Sequence, residues 1–478
     1  MNTFIFESSP SRSQLVPNSG TDQYGAVTPL SARSGSGAGP GRIAGTPGTT
    51  HREASSCVFV SRTFTGTISA SPRRRACAAN REATVLIRNL RLVDGTGALL
   101  EGVDVRVRDG RFAEIGVALA GDEPELDAGG ATAIPGLIDA HTHLSLDATP
   151  QALEHGAERP HSYQAIDSAR RAGQLLAAGV TTARDVGGVT PVILGLRDAI
   201  ADGLTPGPRV YSAGAWLTAP EGHGWHIGAL AESEDGVRQA ARAQLDAGAD
   251  LLKLMVSGGV IGTGHGPNTE QFNEREVRIV TLMAHAEGKT VAAHAHGAPS
   301  IRNAVLGGVD TVEHASFLTE ELIGELLERG TFIVPTLAVI KIVIEAAGDA
   351  LGAETVERAH EVAAAHRENI SAAWRAGVPL AAGTDMGSPF TGPDALHDEI
   401  AQLAGLGMTA HEAIQAATLQ GARVLGLEDD LGTVRPGRRA DLLVLDGDPL
   451  ADLGATRRVR HLLQDGELRI RDGAPVAA

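Results

Sequence analysis

Eight side chains in this sequence have the types and spacing to gather a metal ion and work around it. His141 and His143 close the run Ala133-Ile134-Pro135-Gly136-Leu137-Ile138-Asp139-Ala140-His141-Thr142-His143. The apolar residues before them read as a buried strand. Side chains two apart on a strand share a face, so both imidazoles can aim at one point, as a transition-metal ion requires. Lys253 stands inside Asp250-Leu251-Leu252-Lys253-Leu254-Met255, and His294 and His296 sit in Ala293-His294-Ala295-His296-Gly297. His314 follows Glu313, and Asp385 ends Ala381-Ala382-Gly383-Thr384-Asp385. The eighth residue, His223, lies between Gly222 and Gly224, in a loop suited to close approach by a ligand.

Each of these residues also has a structural role open to it. A buried histidine can bond a carbonyl, and a strand-end aspartate can cap the next helix. Only Lys253, Lys289 and Lys341 are lysines among 41 basic residues. A buried lysine can react as an amine where an arginine cannot, although pairing with Asp250 would also account for it. What separates the chemical reading from the structural one is that these residues fall together at strand ends.

The elements that would position them repeat. Between residues 135 and 427, apolar strands alternate with amphipathic helices such as Glu274–Glu287 and Ala353–Ala376. The strands are Leu137–His143, Val180–Val186, Arg209–Trp216, Leu251–Val256, Val291–His294, Thr311–His314, Phe332–Pro335 and Leu380–Thr384. Eight such units predict an α/β fold, a (β/α)8 TIM barrel, with catalytic groups at the C-terminal ends of its strands. Alternating segments at 83–134 and 428–478 predict a small β-sandwich domain built from both ends of the chain.

Residues 1–82 differ from the rest. They are rich in Ser, Gly, Thr and Pro, with nine arginines against four acidic residues, and read as a disordered or non-structural tail. An Arg- and Ser-rich start also fits a targeting segment, but no apolar stretch follows Arg73-Arg74-Arg75. Cys57 and Cys77, the only cysteines, lie in this tail, so any metal in the core must rely on His, carboxylate or a less usual ligand. The net charge of -17 argues against nucleic acid or an anionic membrane surface as a partner. No apolar run reaches the roughly 18 residues of a membrane span.

Together, Pro135–His143, Lys253-Leu254-Met255-Val256-Ser257-Gly258-Gly259, His294-Ala295-His296-Gly297, Glu313-His314 and Gly383-Thr384-Asp385 resemble the metal-dependent amidohydrolase superfamily. The likeness runs over about residues 84–460 and is nearest to the imidazolonepropionase-like and metallo-dipeptidase (prolidase-like) branch. It includes the closing segment Leu431-Gly432-Thr433-Val434-Arg435-Pro436-Gly437-Arg438-Arg439-Ala440-Asp441-Leu442.

The resemblance implies two divalent ions, with zinc expected. His141 and His143 would hold the more buried ion with Asp385, and His294 and His314 would hold the second. Lys253 would be carboxylated by carbon dioxide and bridge both as a carbamate. Two cations about 3.5–4 Å apart need a bridging anion, which an amine cannot supply. Asp385 would act as general base and then acid around an attacking hydroxide. His223 and His296 would contact substrate, although some dipeptidase-like members place a tyrosine at the position of His296.

The reaction expected is hydrolysis of a C–N bond, in a dipeptide or N-acyl amino acid. The alternative is a cyclic amide, urea or carbamate. Deaminases of this superfamily carry a glutamate just after the strand-5 histidine, and none follows His294 here. A non-catalytic binding protein would have no use for the complete ligand set. A small-molecule substrate, a homo-oligomer and a cytoplasmic location are further expectations.

Overall fold

The computed structural model describes residues 84–261, 265–346 and 350–476. The N-terminal tail and both cysteines lie outside the described residues. The described chain opens with five strands: β1 (Val85–Val93), β2 (Leu99–Arg108), β3 (Arg111–Gly116), β4 (Glu125–Asp127) and β5 (Thr132–Pro135). A parallel series follows, with β6 (Leu137–Thr142), β7 (Val180–Asp185), β8 (Arg209–Ser212), β9 (Leu217–Thr218), β10 (Ala229–Leu230) and β11 (Leu252–Met255). It continues with β12 (Val291–Ala295), β13 (Thr311–His314) and β14 (Phe332–Val334). The chain ends with β15 (Leu442–Leu445), β16 (Val459–Gln464), β17 (Glu467–Arg471) and β18 (Ala474–Pro475).

Strands from both ends of the chain join, as expected, but as one hydrogen-bonded sheet of nine strands rather than two separate sheets. Its path is β18-β17-β16-β15-β5-β1-β2-β3, with β4 on β1. The junction of the two ends is β15 against β5, where Leu443 faces Ile134 and Val444 faces Ala133. Ile87, Leu90, Val105, Leu442 and Val444 are buried on one shared cluster. The chain leaves β5 at Pro135 and enters β6 at Leu137 with only Gly136 between, so this sheet directly anchors the strand that carries His141.

The parallel strands are buried along their whole length in β6, β7, β11, β12 and β13. Strands covered on both faces read as nearly continuous apolar runs, which is why they stood out in the sequence. They form two sheets, β6-β7-β8 and β10-β9-β11-β12-β13-β14, and not one closed eight-stranded sheet.

Two local causes separate the sheets. The predicted strand Arg209–Trp216 breaks at Gly214, which sits at φ 69°, so β8 pairs with β7 while β9 joins β11. The predicted last strand, Leu380–Thr384, makes only isolated bridges: Leu380 to Ile333 of β14, and the following Met386 to Thr142 of β6. There the Thr384 amide is shared between the His141 carbonyl and the Asp139 carboxylate, each at 3.2 Å, and the Thr384 hydroxyl donates to Asp139 at 2.7 Å. The predicted helices are present as Glu274–His285 and Ala353–Ala376. Asn273 closes a capping box with Glu276 at the start of the first.

Candidate metal centre

The ends of β6, β11, β12 and β13, with the segment after Leu380, bring the predicted ligands into one cleft. His141 in β6 and His143, the residue just past its end, have ring centroids 5.2 Å apart. Their Nε2 atoms lie 3.2 and 3.0 Å from Asp385 Oδ1. The donor atoms of His141, His314 and Asp385 fall within 4.8 Å of one another, as do those of His294, His296 and His314. His314 thus belongs to both groups. His296, predicted as a substrate contact, is stacked on His314 at 4.7 Å and sits inside the second group.

A second layer fixes which nitrogen of each ring faces the cleft, the usual requirement for histidine ligands. His141 Nδ1 pairs with Glu313 Oε2 at 2.7 Å, and His143 Nδ1 with the Gly187 carbonyl at 2.7 Å. His314 Nδ1 meets the Thr336 hydroxyl at 2.7 Å, and His296 Nδ1 the Ser316 hydroxyl at 2.8 Å. His294 is turned the other way, with Nε2 at 3.1 Å from the Gly258 carbonyl and Nδ1 free for the cleft. Backbone strain concentrates here too. His314, Ala315, Thr336 and Asp385 have φ of 69°, 54°, 51° and 62°. Non-glycine residues hold such angles only where their surroundings compel them.

Lys253 is fully buried, and its Nζ has no hydrogen-bond partner. The ion pair that would have explained it is taken, because Asp250 binds Arg197 at 2.8 Å and the Ser212 amide at 2.9 Å. Burial lowers the Lys253 ammonium to about 8, against the pull of Glu313 and Asp385. A share of it is therefore free amine near neutral pH, the form that combines with carbon dioxide.

The other charges match a metal site. Burial, then the neighbouring imidazoles, holds His294 and His314 well below the ordinary histidine value, in the neutral form that binds metal. Burial raises the Asp385 carboxyl, but the hydrogen bonds and charges of His141 and His143 outweigh it and hold it well below its usual range. Neutral imidazoles, an ionised carboxylate and an orphaned buried amine in one cleft are a donor set that fits divalent cations.

His223 lies over the same cleft, its ring stacked on His294 at 4.5 Å. The space it occupies exists because residue 259 is glycine, where a Cβ would come within 2.2 Å of the ring. Burial brings His223 down to about 4, so it is a neutral hydrogen-bonding group there.

Three participants were not singled out from the sequence. Glu313 is fully buried between His141 and Arg184, whose Nη2 lies 2.8 Å from Glu313 Oε1. Trp216 meets His143 edge-on at 5.3 Å. Asp139 ties β6 to Thr384. Glu313 and Asp139 stood inside quoted motifs, but nothing in one sequence pairs them with their partners.

A parallel α/β fold with histidines and a carboxylate converging at its strand ends defines the metal-dependent hydrolase class. Residues 132–468 match the Amidohydrolase family, and the chain belongs to that family. It is an enzyme, a hydrolase acting on carbon–nitrogen bonds. Ochratoxinase of Aspergillus niger is 32% identical over 370 residues, covering 70% of this chain and 75% of the relative. A Xaa-Pro dipeptidase solved with methionine in its active site is 29% identical with TM-score 0.74, covering 80% of this chain and 99% of that one. A prolidase solved with N-methylphosphonate-L-proline is 30% identical with TM-score 0.75, over 81% of this chain and 100% of that one. Among the described residues, no helix is long and apolar enough to cross a membrane.

Proposed function

We propose that this chain is a binuclear amidohydrolase on a barrel-like parallel scaffold, cleaving an amide in a dipeptide or N-acyl amino acid. The observation that carries the two-ion reading is Lys253, a buried amine without a partner beside two ligand-spaced groups that share His314. A single ion would leave that amine unexplained, whereas as a carbamate it becomes the bridging anion that two cations need. His141 and His143 would hold one ion with Asp385, His294 and His314 would hold the other, and Lys253 as a carbamate would supply the anion between them. The names of the Xaa-Pro dipeptidase and prolidase neighbours describe a peptide bond before proline, which supports a peptide-like substrate.

A bound pair of divalent cations supplies Lewis-acid polarisation of the carbonyl and a water acidified to about pKa 7. Asp385, ionised and within reach of His141 and His143, accepts the water's proton and delivers it to the leaving nitrogen. His223, stacked on His294, and His296, edge-on to it, orient the substrate.

The test is a hydrolysis screen of dipeptides, N-acyl amino acids and aryl ureas with enzyme loaded with zinc and bicarbonate. Amide cleavage is expected. Asp385→Asn should lose about 100-fold or more in kcat while retaining much of its metal. Near-normal turnover by Asp385→Asn overturns its role, and failure of ¹³C-bicarbonate to label a carbamate carbon that Lys253→Ala lacks overturns the bridge.

A further inference from the structure

The loop that carries His223 has no regular structure of its own to hold it. It runs between β9 and β10 through Glu221 at φ 56° and Gly224 at φ 65°, and glycines flank His223 on both sides. A stretch of this kind is free to move. Yet the His223 ring must stay stacked on His294, in the space that Gly259 leaves for it. Hydrogen bonds to the loop backbone supply the missing constraint. The Thr218 hydroxyl donates to the His223 carbonyl at 2.9 Å, and Trp216 Nε1 to the Gly224 carbonyl at 3.1 Å, both from the chain just before the loop.

The His223 amide is met by a different element. Gln271 lies half-buried in the connection between β11 and the helix Glu274–His285. One end of its carboxamide faces the Met255 carbonyl and the other faces the His223 amide. Only one orientation satisfies both, with the nitrogen on Met255 at 2.9 Å and the oxygen on His223 at 2.6 Å. Its own backbone amide is fixed on the Val256 carbonyl at 2.8 Å. The loop packs closely against it, since a Cβ at residue 222 would come within 2.9 Å of the carboxamide. Met255 ends β11, the strand of Lys253, so one side chain ties the His223 loop to that strand.

Resting on the reading above that His223 contacts the substrate, we infer that Gln271 is a positioning residue for His223. It sets where the imidazole stands relative to Lys253 and lies outside the lining of the cleft. A carboxamide suits the task because it presents a donor and an acceptor at one planar end. A carboxylate would set its charge against the Met255 carbonyl. An apolar side chain would leave that carbonyl and the His223 amide unpaired.

Gln271→Met keeps the length and removes both bonds. On leucyl-proline, with zinc- and bicarbonate-loaded enzyme, it should lower kcat/KM by about 10-fold or more at unchanged metal content. His223→Ala should lower it at least as far. The double variant should match His223→Ala to within about 2-fold, because Gln271 then has nothing left to position. Asn303→Ala is the control for loosening the same connection. It removes bonds to Glu270 at 2.7 Å and the Phe272 carbonyl at 3.2 Å but neither bond of Gln271, and it should keep its turnover.

Losses that add in the double variant, metal lost from Gln271→Met, or an equal loss in Asn303→Ala would overturn the inference. Hydrogen exchange at the His223 amide, read by mass spectrometry, separates this claim from the one it rests on. Gln271→Met should speed that exchange by about 5-fold, the worth of one hydrogen bond, whether or not the peptide is cleaved. If leucyl-proline is not cleaved, or His223→Ala cleaves it at the full rate, the substrate contact falls and the catalytic consequence with it. Unchanged exchange instead refutes the hold of Gln271 on the loop.

Discussion

Glu313 shows how a single residue can govern a site it never enters. Burial works against its charge, but Arg184 and the hydrogen bond to His141 hold the carboxyl well below its usual range. It is therefore an anion, with one oxygen on His141 Nδ1 at 2.7 Å and the other on Arg184 at 2.8 Å. That anion fixes His141 with Nε2 toward Asp385 and makes the ring a stronger donor. Glu313→Gln keeps the shape but removes the charge and leaves Arg184 buried without its counter-ion. The expected result is metal affinity weakened by about 10- to 100-fold in competition with a chelator, with turnover partly recovered at excess metal. Unchanged affinity would reduce Glu313 to a packing role. The sequence set Glu313 beside His314, but Arg184 lies 129 positions away, so no local pattern could join them.

Elements decide which residues reach the cleft, and their apolar patterns were legible where burial is complete. The strands carrying His141, Lys253, His294 and His314 appear where the sequence places them, because strands buried on both faces leave continuous apolar runs. The division at Gly214 was not read because one glycine inside an apolar run does not by itself mark a break, and the irregular segment after Leu380 depends on contacts from distant chain, such as Asp139 on Thr384. The helix Leu337–Ala346 is a further case. It supplies Val339 and Ile340 to the cleft, and its Ala338 amide is received by Glu399 Oε2 at 2.7 Å from a different helix. Burial pushes the Glu399 carboxyl up to about 8 from its ordinary 4.5. Below pH 4.5 both folded and unfolded chains hold this proton. Between there and about 8 the unfolded chain releases it and the folded chain does not, so stability falls as pH rises through that window. Glu399→Gln keeps an acceptor for Ala338 and removes the titration. Its Tm, measured with metal at saturation, should fall less than that of the unsubstituted chain between pH 5 and 8. Parallel curves would refute this account of the cap.

For the molecule as a whole, the nine-stranded sheet makes the metal cleft depend on residues close to the end of the chain. The sequence showed that both ends have strand character, because each alternates apolar and polar residues between turns. It did not show that β15 is the strand on which the two ends meet, since pairing partners more than 300 positions apart leave no local trace. The consequence is testable by truncation. Leu442, Leu443, Val444 and Leu445 are fully buried between β5 and β16. Fully burying such side chains contributes about 1.5–3 kcal/mol each, so β15 alone accounts for roughly 6–12 kcal/mol. That is comparable to the whole stability of a typical domain, about 5–15 kcal/mol. A chain ending at Arg439 would also leave β5 without its neighbour one residue before β6 begins. It should therefore lose its cooperative melting transition and its metal binding together, read by circular dichroism and metal content, even though every proposed ligand from His141 to Asp385 is retained. Normal metal content in a folded truncated chain would show instead that the parallel strands hold the site without the sheet.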